Sequence, residues 1–323
     1  MGITTPDRLA ARNAASASVL DAIGGTPLVQ LRKIVPRGSA RVLAKLEGAN
    51  PTGNMKDRMA KAAIEAAERD GRLKPGGTVV EYTGGSTGAS LALICAAKGY
   101  RCKIVTSDAF SQEKTRTAQA FGAEITLIPS DGGRITEPLI RSMIDTARQI
   151  SQAPGHWWFD QLNNRDAMLG YYPMGEEIWT QANGDVDAFV QSVGSAHSLN
   201  GVAQVLREHN PALKVVAAEP AESAVLSGKT RGPHRIEGIG IGFTPPCWQS
   251  GNVHEIQSAT SEDASQMCRR LARKEGIFAG VSSGLNVIVA LRLAERLGVN
   301  ATVVTILIDS GLRYMSTDLF REA

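Results

Sequence analysis

The feature that most constrains the fold is an alternation of short β-rich runs with helix-length segments. Seven strands are predicted, at 41–47, 78–82, 101–107, 124–128, 186–193, 214–219 and 301–308. Helical patterns lie between and around them, at 57–70, 87–98, 111–121, 137–151, 198–208, 262–274 and 285–297. Strands separated by helix-length connections favour βαβ units and a mainly parallel sheet. The chain has 323 residues, enough for two domains of about 150 residues each, so two α/β layers fit better than one.

Composition and charge exclude several classes of protein. The chain carries 35 Lys and Arg against 32 Asp and Glu, which gives no electrostatic case for nucleic-acid binding. Its longest apolar stretches, such as 301–308, are too short to span a bilayer, and residues 1–16 lack an apolar signal core. The four cysteines lie far apart without a CxxC pair, and no pair of histidines has metal-ligand spacing. We therefore expect a cytoplasmic protein without a disulfide framework, a metal site, a nucleic-acid partner or a membrane partner.

Lys56 stands at the predicted start of a helix, directly after the turn-forming segment NPTGNM (50–55). Asn54 is the expected N-cap. A cation in the first helical turn opposes the helix dipole, which lowers the pKa of the lysine. A lysine with a lowered pKa can form an imine near neutral pH. The same pattern also fits a solvated surface lysine, so the residues alone leave both interpretations open.

Two turns rich in small residues connect predicted strands to helices. Strand 78–82 leads into TGGSTG (83–88), and strand 186–193 leads into GSAHS (194–198). Small residues allow close backbone approach, and the first N–H groups of the following helix can bind a carboxylate or a phosphate. Neither turn matches GxGxxG or GxxxxGK[ST]. Each turn could equally be an ordinary strand-to-helix connection.

A third turn, DSGLRY (309–314), follows the last predicted strand. Ligands in open α/β sheets bind beyond the carboxyl ends of the strands, which places Ser310 where a site would be. The alternative is a turn hydroxyl bonded to its own backbone.

These segments, in order from about residue 23 to residue 320, resemble the cysteine synthase family. That family consists of pyridoxal-phosphate enzymes of the tryptophan synthase β-like fold, also called fold type II. The resemblance is carried by IGGTPLVQL (23–31), NPTGNMKDR (50–58), TGGSTG (83–88), the turn at 194–198, EP (219–220), HRIEGIGIGF (234–243), GIFAGVSSG (276–284) and DSGLRY (309–314). It implies a two-domain α/β fold with mostly parallel sheets flanked by helices. The larger, cofactor-binding domain would comprise 1–49 and 156–323, and the smaller domain, 50–155, would move on substrate binding.

The resemblance also implies a role for each matching residue. Lys56 would be catalytic, forming the internal imine with pyridoxal phosphate and shuttling the substrate α-proton. Ser310 would meet the pyridine nitrogen, and Ser86 the ring hydroxyl. The full cofactor-binding set would be Lys56, Ser86, Gly194, Ser195, Ala196, His197, Ser198 and Ser310. The substrate would contact Thr83, Gly84, Gly85, Thr87, Gln161, Gly238 and Ile241.

The implied reaction is β-replacement on an activated L-serine, either O-acetyl- or O-phosphoserine, through an aminoacrylate. A neutral hydroxyl at Ser310 does not hold the pyridine nitrogen protonated, which favours β-elimination over other fates. Family analogy adds a cytoplasmic homodimer acting in cysteine biosynthesis. Two alternatives stay open: a β-eliminating lyase of the serine or cysteine deaminase or desulfhydrase type, and a non-catalytic paralogue that acts by binding.

Three segments depart from the family pattern. TGGSTG replaces the usual TSGNTG, with Gly84 for Ser and Ser86 for Asn. GSAHS replaces GTGGT, and its Ala196 and His197 require negative φ or some strain. His197 could donate to the phosphate or point to solvent. Leu312 stands for the usual Glu in the last motif. These departures predict an altered substrate, a different nucleophile or diminished activity.

Overall fold

The computed structural model describes residues 17–321 and contains two sheets. In the larger sheet the strand order is β1-β2-β10-β7-β8-β9. Its strands are Leu28–Leu31 (β1), Arg41–Leu46 (β2), Ala188–Ser192 (β7), Lys214–Pro220 (β8), Glu255–Ala259 (β9) and Thr302–Leu307 (β10). Only β1 and β2 pair antiparallel, so the sheet has the mainly parallel character that the βαβ pattern predicts.

The smaller sheet is parallel throughout, with the order β5-β4-β3-β6. It is formed by Thr78–Tyr82 (β3), Arg101–Ser107 (β4), Glu124–Ile128 (β5) and His156–Trp158 (β6). The second part of the larger domain was expected to start at residue 156. Strand β6 also starts there, yet it pairs with β3 of the smaller sheet. The four-stranded sheet therefore extends three residues beyond the expected boundary at 155.

Helices connect the strands and cover both sheets. They are Lys56–Arg69 (α1), Ser86–Lys98 (α2), Gln112–Ala120 (α3), Glu137–Ser151 (α4), Tyr172–Gln181 (α5), His197–His209 (α6), Ser261–Arg270 (α7) and Val281–Leu297 (α8). The α/β fold with mostly parallel sheets is confirmed, and all seven predicted strands are present with ends within two residues of those predicted. No helix within residues 17–321 is long and apolar enough to cross a membrane. The segment 1–16, where a signal core was looked for, lies outside the described residues.

The central strands are buried on both faces because helices cover both faces. Every residue of β3, β7 and β10 is buried, as expected for parallel strands in a layered α/β fold. Helix α8 is buried over most of its circumference for the same reason. It approaches α7 closely at Gly284, where an added Cβ would lie 2.1 Å from the carbonyl oxygen of Ala264.

We expect Gly284→Ala to destabilise the protein by about 1–3 kcal/mol, because the new methyl group would force α7 and α8 apart. The matched control is Gly251→Ala, at an exposed position with no atom within 4 Å of the added Cβ. Urea unfolding of both variants measures the effect. Equal unfolding midpoints for the two variants would contradict this account of the helix contact.

Candidate active site

The turn that carries Lys56 is docked onto the carboxyl end of β10 by backbone hydrogen bonds. Met55 N donates to Ile308 O at 3.0 Å, and Ser310 N donates to Gly53 O at 2.9 Å. Gly53 has φ +75°, a conformation that favours glycine. Two motifs that are about 250 residues apart in the sequence therefore meet through their main chains, and Lys56 lies beside the turn that follows β10.

Helix α1 begins at Lys56, as the sequence predicts, and its first turn is tightly held. Asn54 Oδ1 accepts a hydrogen bond from Lys56 N at 2.7 Å, but the N-cap residue is Met55, one position after the expected Asn54. Two residues further on, the buried Arg58 guanidinium binds Glu47 at 2.7 Å and Glu177 at 2.8 Å. These ion pairs fix the start of α1 against the elements on either side of it.

The electrostatics of Lys56 make its neutral amine far more accessible than that of an ordinary lysine. Burial lowers the pKa of Lys56 to about 8, and the nearby carboxylate of Asp309 opposes that shift. The lowering was expected from the helix dipole, whereas burial is its largest cause. At pH 7 a pKa of about 8 leaves roughly 10% of the amine unprotonated, compared with about 0.03% for an ordinary lysine.

Asp309 is the carboxylate that faces Lys56. Burial raises the pKa of Asp309, and the positive charges of Arg313 and Lys114 oppose that rise. Tyr314 donates its hydroxyl to Asp309 Oδ2 at 2.8 Å. The carboxylate is therefore held in place by residues of its own motif and stands ready to balance a cation at Lys56.

Lys56 opens into a cleft between the two sheets' connecting turns. Six of the predicted site residues line it: Lys56, Ser86, Gly194, Ser195, Ser198 and Gly238. The cleft thus collects residues from the starts of α1, α2 and α6 and from the loop before β9. The surface-lysine interpretation of Lys56 is not supported, because the side chain lines this cleft.

The turn 194–198 leads into α6 with its first N–H groups at the cleft. Gly194 has no room for a side chain, since a Cβ would lie 2.5 Å from the carbonyl oxygen of Gly238. Ala196 adopts φ +71°, so the replacement of a glycine here is accommodated with strain rather than by a negative φ.

His197 is buried at the first position of α6 and does not point to solvent. Its Nδ1 lies 2.8 Å from Ser195 Oγ. Burial, helped by the charge of Lys56, lowers the pKa of His197 to about 4, so the ring is neutral at pH 7. Within residues 17–321 its Nε2 has no hydrogen-bond partner.

The turn 83–88 opens α2, and its departures from the family pattern have a structural explanation. Thr83 Oγ1 accepts a hydrogen bond from Gly85 N at 3.0 Å, and Thr87 Oγ1 donates to Gln161 Oε1 at 2.6 Å. A Cβ on Gly84 would lie 2.8 Å from the ring of Phe110, so this ring occupies the place of the usual serine side chain.

Ser86 takes the place of the usual asparagine, and its side chain is hydrogen-bonded to the guanidinium of Arg313. Arg313 Nη2 donates to Ser86 Oγ at 3.2 Å, and Arg313 Nη1 donates to Thr52 O at 2.6 Å. One guanidinium therefore ties the DSGLRY turn to both the Lys56 turn and the TGGSTG turn.

The other predicted site residues lie around the cleft without lining it. Ile241 lines a smaller pocket that adjoins it at Gly194. Ser310 Oγ accepts a hydrogen bond from Leu312 N at 3.3 Å, which is the local turn contact considered as its alternative role. Gln161 follows β6 and accepts the hydrogen bond from Thr87. The remaining residues belong to the two turns just described: Thr83, Gly84, Gly85, Thr87, Ala196 and His197. The binding roles of the whole set remain predictions.

Several residues that line the cleft were not singled out from the sequence. Asp309 and Tyr314 lie in DSGLRY, and Glu237 lies in HRIEGIGIGF, so their motifs supplied a signal. The partner of Glu237 is Lys114 of α3, whose ammonium also lies 4.8 Å from the centre of the Tyr314 ring. The sequence around Lys114 carries no signal of this role, because its partner is 123 residues away.

Comparison with known proteins assigns the family. A family model described as "Pyridoxal-phosphate dependent enzyme" matches residues 19–309. The chain is 40% identical to the cysteine synthase of Staphylococcus aureus (strain Mu50 / ATCC 700699) over 305 residues, which cover 94% of this chain and 96% of that protein. The chain therefore belongs to the cysteine synthase family of pyridoxal-phosphate-dependent enzymes.

Solved structures agree with this assignment. The cysteine synthase (OASS) of Entamoeba histolytica superposes with a TM-score of 0.89 at 35% identity, covering 100% of this chain and 94% of that one. The structure of an O-ureido-L-serine synthase superposes with a TM-score of 0.87 at 35% identity, covering 95% of this chain and 96% of that one. These matches confirm the fold type II assignment made from the sequence.

The residues present fit pyridoxal phosphate. Three buried polar atoms around the cleft have no hydrogen-bond partner in the described part of the chain, namely Ser192 Oγ, His197 Nε2 and Asp309 Oδ1. Buried polar atoms are normally satisfied, so such orphans indicate a polar ligand. An anion-binding helix start, an amine with a lowered pKa and these free polar atoms match the cofactor's phosphate, aldehyde and ring.

The pKa of Lys56 predicts how cofactor capture depends on pH. Because only the neutral amine attacks an aldehyde, the rate at which apoprotein captures pyridoxal phosphate should rise about tenfold per pH unit below pH 8 and level off above it. Stopped-flow absorbance between pH 6 and 10 measures this rate. A rate still rising at pH 10 would mean that the amine keeps an ordinary pKa.

Proposed function

We propose that the protein catalyses β-replacement on an activated L-serine, O-acetylserine or O-phosphoserine, in a cysteine synthase-like reaction. One observation carries the proposal: Lys56, with its lowered pKa, opens into a cleft flanked by the starts of α2 and α6. Two separate helix starts provide for two anionic groups, a phosphate at one and an amino-acid carboxylate at the other. The altered turns leave the leaving group and the nucleophile to be determined.

Pyridoxal phosphate, when bound, withdraws electrons from the α-carbon of an amino acid. Lys56 would hold the cofactor through Nζ and, once displaced by the substrate amine, would remove the α-proton as a general base and return one as an acid. Asp309 would compensate the positive charge of Lys56 whenever the amine carries a proton.

The turns would position the two anions. The N–H groups of 194–198 with the hydroxyls of Ser195 and Ser198 would bind the phosphate. The turn 83–88 would bind the substrate carboxylate, with Gln161 oriented by Thr87. Ser310 would present a neutral hydroxyl to the pyridine nitrogen, in keeping with β-elimination as the first half of the reaction.

We propose that the unit 50–155 moves when the substrate binds. Two ion pairs support this by joining the unit to the loop before β9: Lys114 with Glu237, and Glu137 with Arg231 at 2.7 Å. Both pairs are formed in this structure, so the unit would break them on opening and remake them on closing. A cytoplasmic homodimer acting in cysteine biosynthesis is proposed from the family resemblance.

The experiment that tests the reaction uses the purified holoenzyme with O-acetylserine, O-phosphoserine, serine and cysteine, each with and without sulfide. We expect cysteine from one of the first two substrates when sulfide is present. Pyruvate and ammonia, regardless of sulfide, would instead support the β-eliminating lyase. An unchanged visible spectrum with every substrate would contradict both catalytic functions and favour the binding paralogue.

Lys56→Ala should abolish both the yellow colour of the purified protein and its turnover, because no other lysine opens into the cleft among the residues described. The matched control is Lys61→Ala on the same helix, which should keep colour and activity. Visible absorbance and product formation measure the two effects. Retention of a covalently held cofactor in Lys56→Ala would contradict the assignment of this lysine.

Gly84→Ser should raise KM for the amino-acid substrate about tenfold, since its side chain must displace the Phe110 ring from beside the carboxylate turn. Phe110→Ala in the same protein should recover most of that loss by vacating the space. Steady-state kinetics of the two single variants and the double variant measure the coupling. Additive effects of the two changes would show that the ring and the glycine are not matched to each other.

A further inference from the structure

A series of hydrogen bonds through two buried amide side chains leads from β7 to the turn 194–198. It begins at the backbone N–H of Ser192, the last residue of β7, which donates to Asn286 Oδ1 at 2.7 Å. Asn286 Nδ2 donates to Gln191 Oε1 at 2.9 Å, and Gln191 Nε2 donates to Ser198 Oγ at 3.1 Å. Asn286 and Gln191 are fully buried, and neither lines the cleft.

The direction of every hydrogen bond in this series is determined by the backbone. A backbone N–H can only donate, so Asn286 must turn its oxygen to Ser192. The amide nitrogen of Asn286 then also faces Ile306 O at 2.8 Å, and a carbonyl can only accept. Because Asn286 is anchored at both ends of its amide, Gln191 must present its oxygen to Asn286 and its nitrogen to Ser198.

The hydroxyl proton of Ser198 is therefore not used by Gln191. Its oxygen accepts from Gln191, which is the one hydrogen-bond partner of that oxygen within residues 17–321. Ser198 lines the cleft at the start of α6. Its hydroxyl proton is thereby kept free for an acceptor in the cleft.

We infer that Asn286 and Gln191 are positioning residues that fix Ser198 as a hydrogen-bond donor to the cofactor phosphate. The inference rests on the proposed function, since it takes the turn 194–198 as the phosphate site. A fully ionised phosphate offers only acceptors, so it pairs with a hydroxyl whose proton is not already used by another group.

The decisive variant is Asn286→Asp. A carboxylate accepts at both oxygens, so Gln191 would reverse its amide to donate to residue 286 and would turn its oxygen to Ser198. Ser198 would then donate its proton to the oxygen of Gln191 and present lone pairs to the phosphate. We expect the dissociation constant of pyridoxal phosphate from the apoprotein to rise about tenfold or more, although residue 286 does not reach the cleft.

A neutral second variant, Gln191→Met, tests the same idea without a new charge and keeps it testable if Asn286→Asp does not fold. Methionine has nearly the volume of glutamine but leaves Ser198 free to rotate. The dissociation constant should rise by a smaller factor, about threefold, than in Asn286→Asp. Asn210→Asp is the control, because that amide is likewise held between a backbone N–H and a carbonyl but lies at the far end of α6.

Each variant is combined with Ser198→Ala to separate the polarity of the hydroxyl from stability and charge. We expect Asn286→Asp and Gln191→Met to cause no further loss of pyridoxal phosphate or inorganic phosphate binding once Ser198 is alanine. Losses of equal size with and without Ser198 would overturn the inference and indicate a purely structural or electrostatic effect. If the unaltered apoprotein binds neither pyridoxal phosphate nor inorganic phosphate, the proposed function itself fails.

Discussion

The docking of the Lys56 turn onto the end of β10 is the contact on which the rest of the site depends. Two main-chain hydrogen bonds, from Met55 to Ile308 and from Ser310 to Gly53, join two connections that belong to different parts of the fold. These contacts join main-chain atoms, although Gly53, with φ +75°, favours glycine at the junction. It places an amine, a carboxylate and a serine hydroxyl side by side without any of them having to hold the turn.

Around this junction several charged side chains are buried or nearly buried. Arg58 lies between Glu47 and Glu177, and the pKa of Glu177 falls to about 2 despite its burial, which otherwise raises it, because of hydrogen bonds and charge from Arg58 and Lys45. Removing one member of such a buried group would leave an uncompensated charge, which costs more than the pair contributes when intact. The first turn of α1 is thus rigid, and Lys56 can lose its proton through burial without losing its orientation.

The sequence predicts the parts of this arrangement that depend on local patterns. The buried parallel strands are read from apolar runs, and the helix start at Lys56 is read from the turn and from Asn54. Strands β1, β6 and β9 were missed because each is short, only partly buried and without a continuous apolar run. The contact between Lys114 and Glu237 could not be predicted, since it joins a helix to a distant loop and depends on how the two sheets are placed.

The departures from the family pattern likewise divide into those that the sequence predicts and those that only the structure explains. The sequence analysis recognised that Ala196 and His197 would need negative φ or strain, and Ala196 does adopt positive φ. That Phe110 fills the space beside Gly84 required the structure, because the ring is contributed by the connection after β4. The alternative in which His197 points to solvent was wrong, as the ring is buried and bonds to Ser195.

The central claim is that the Lys56 amine forms the covalent link to pyridoxal phosphate within this cleft. Borohydride reduction of the holoenzyme followed by proteolysis and mass spectrometry tests it most directly. The account predicts that the reduced cofactor is found on the peptide containing Lys56 and on no other lysine. A protein whose cofactor is recovered on a different lysine, or entirely free, would contradict it.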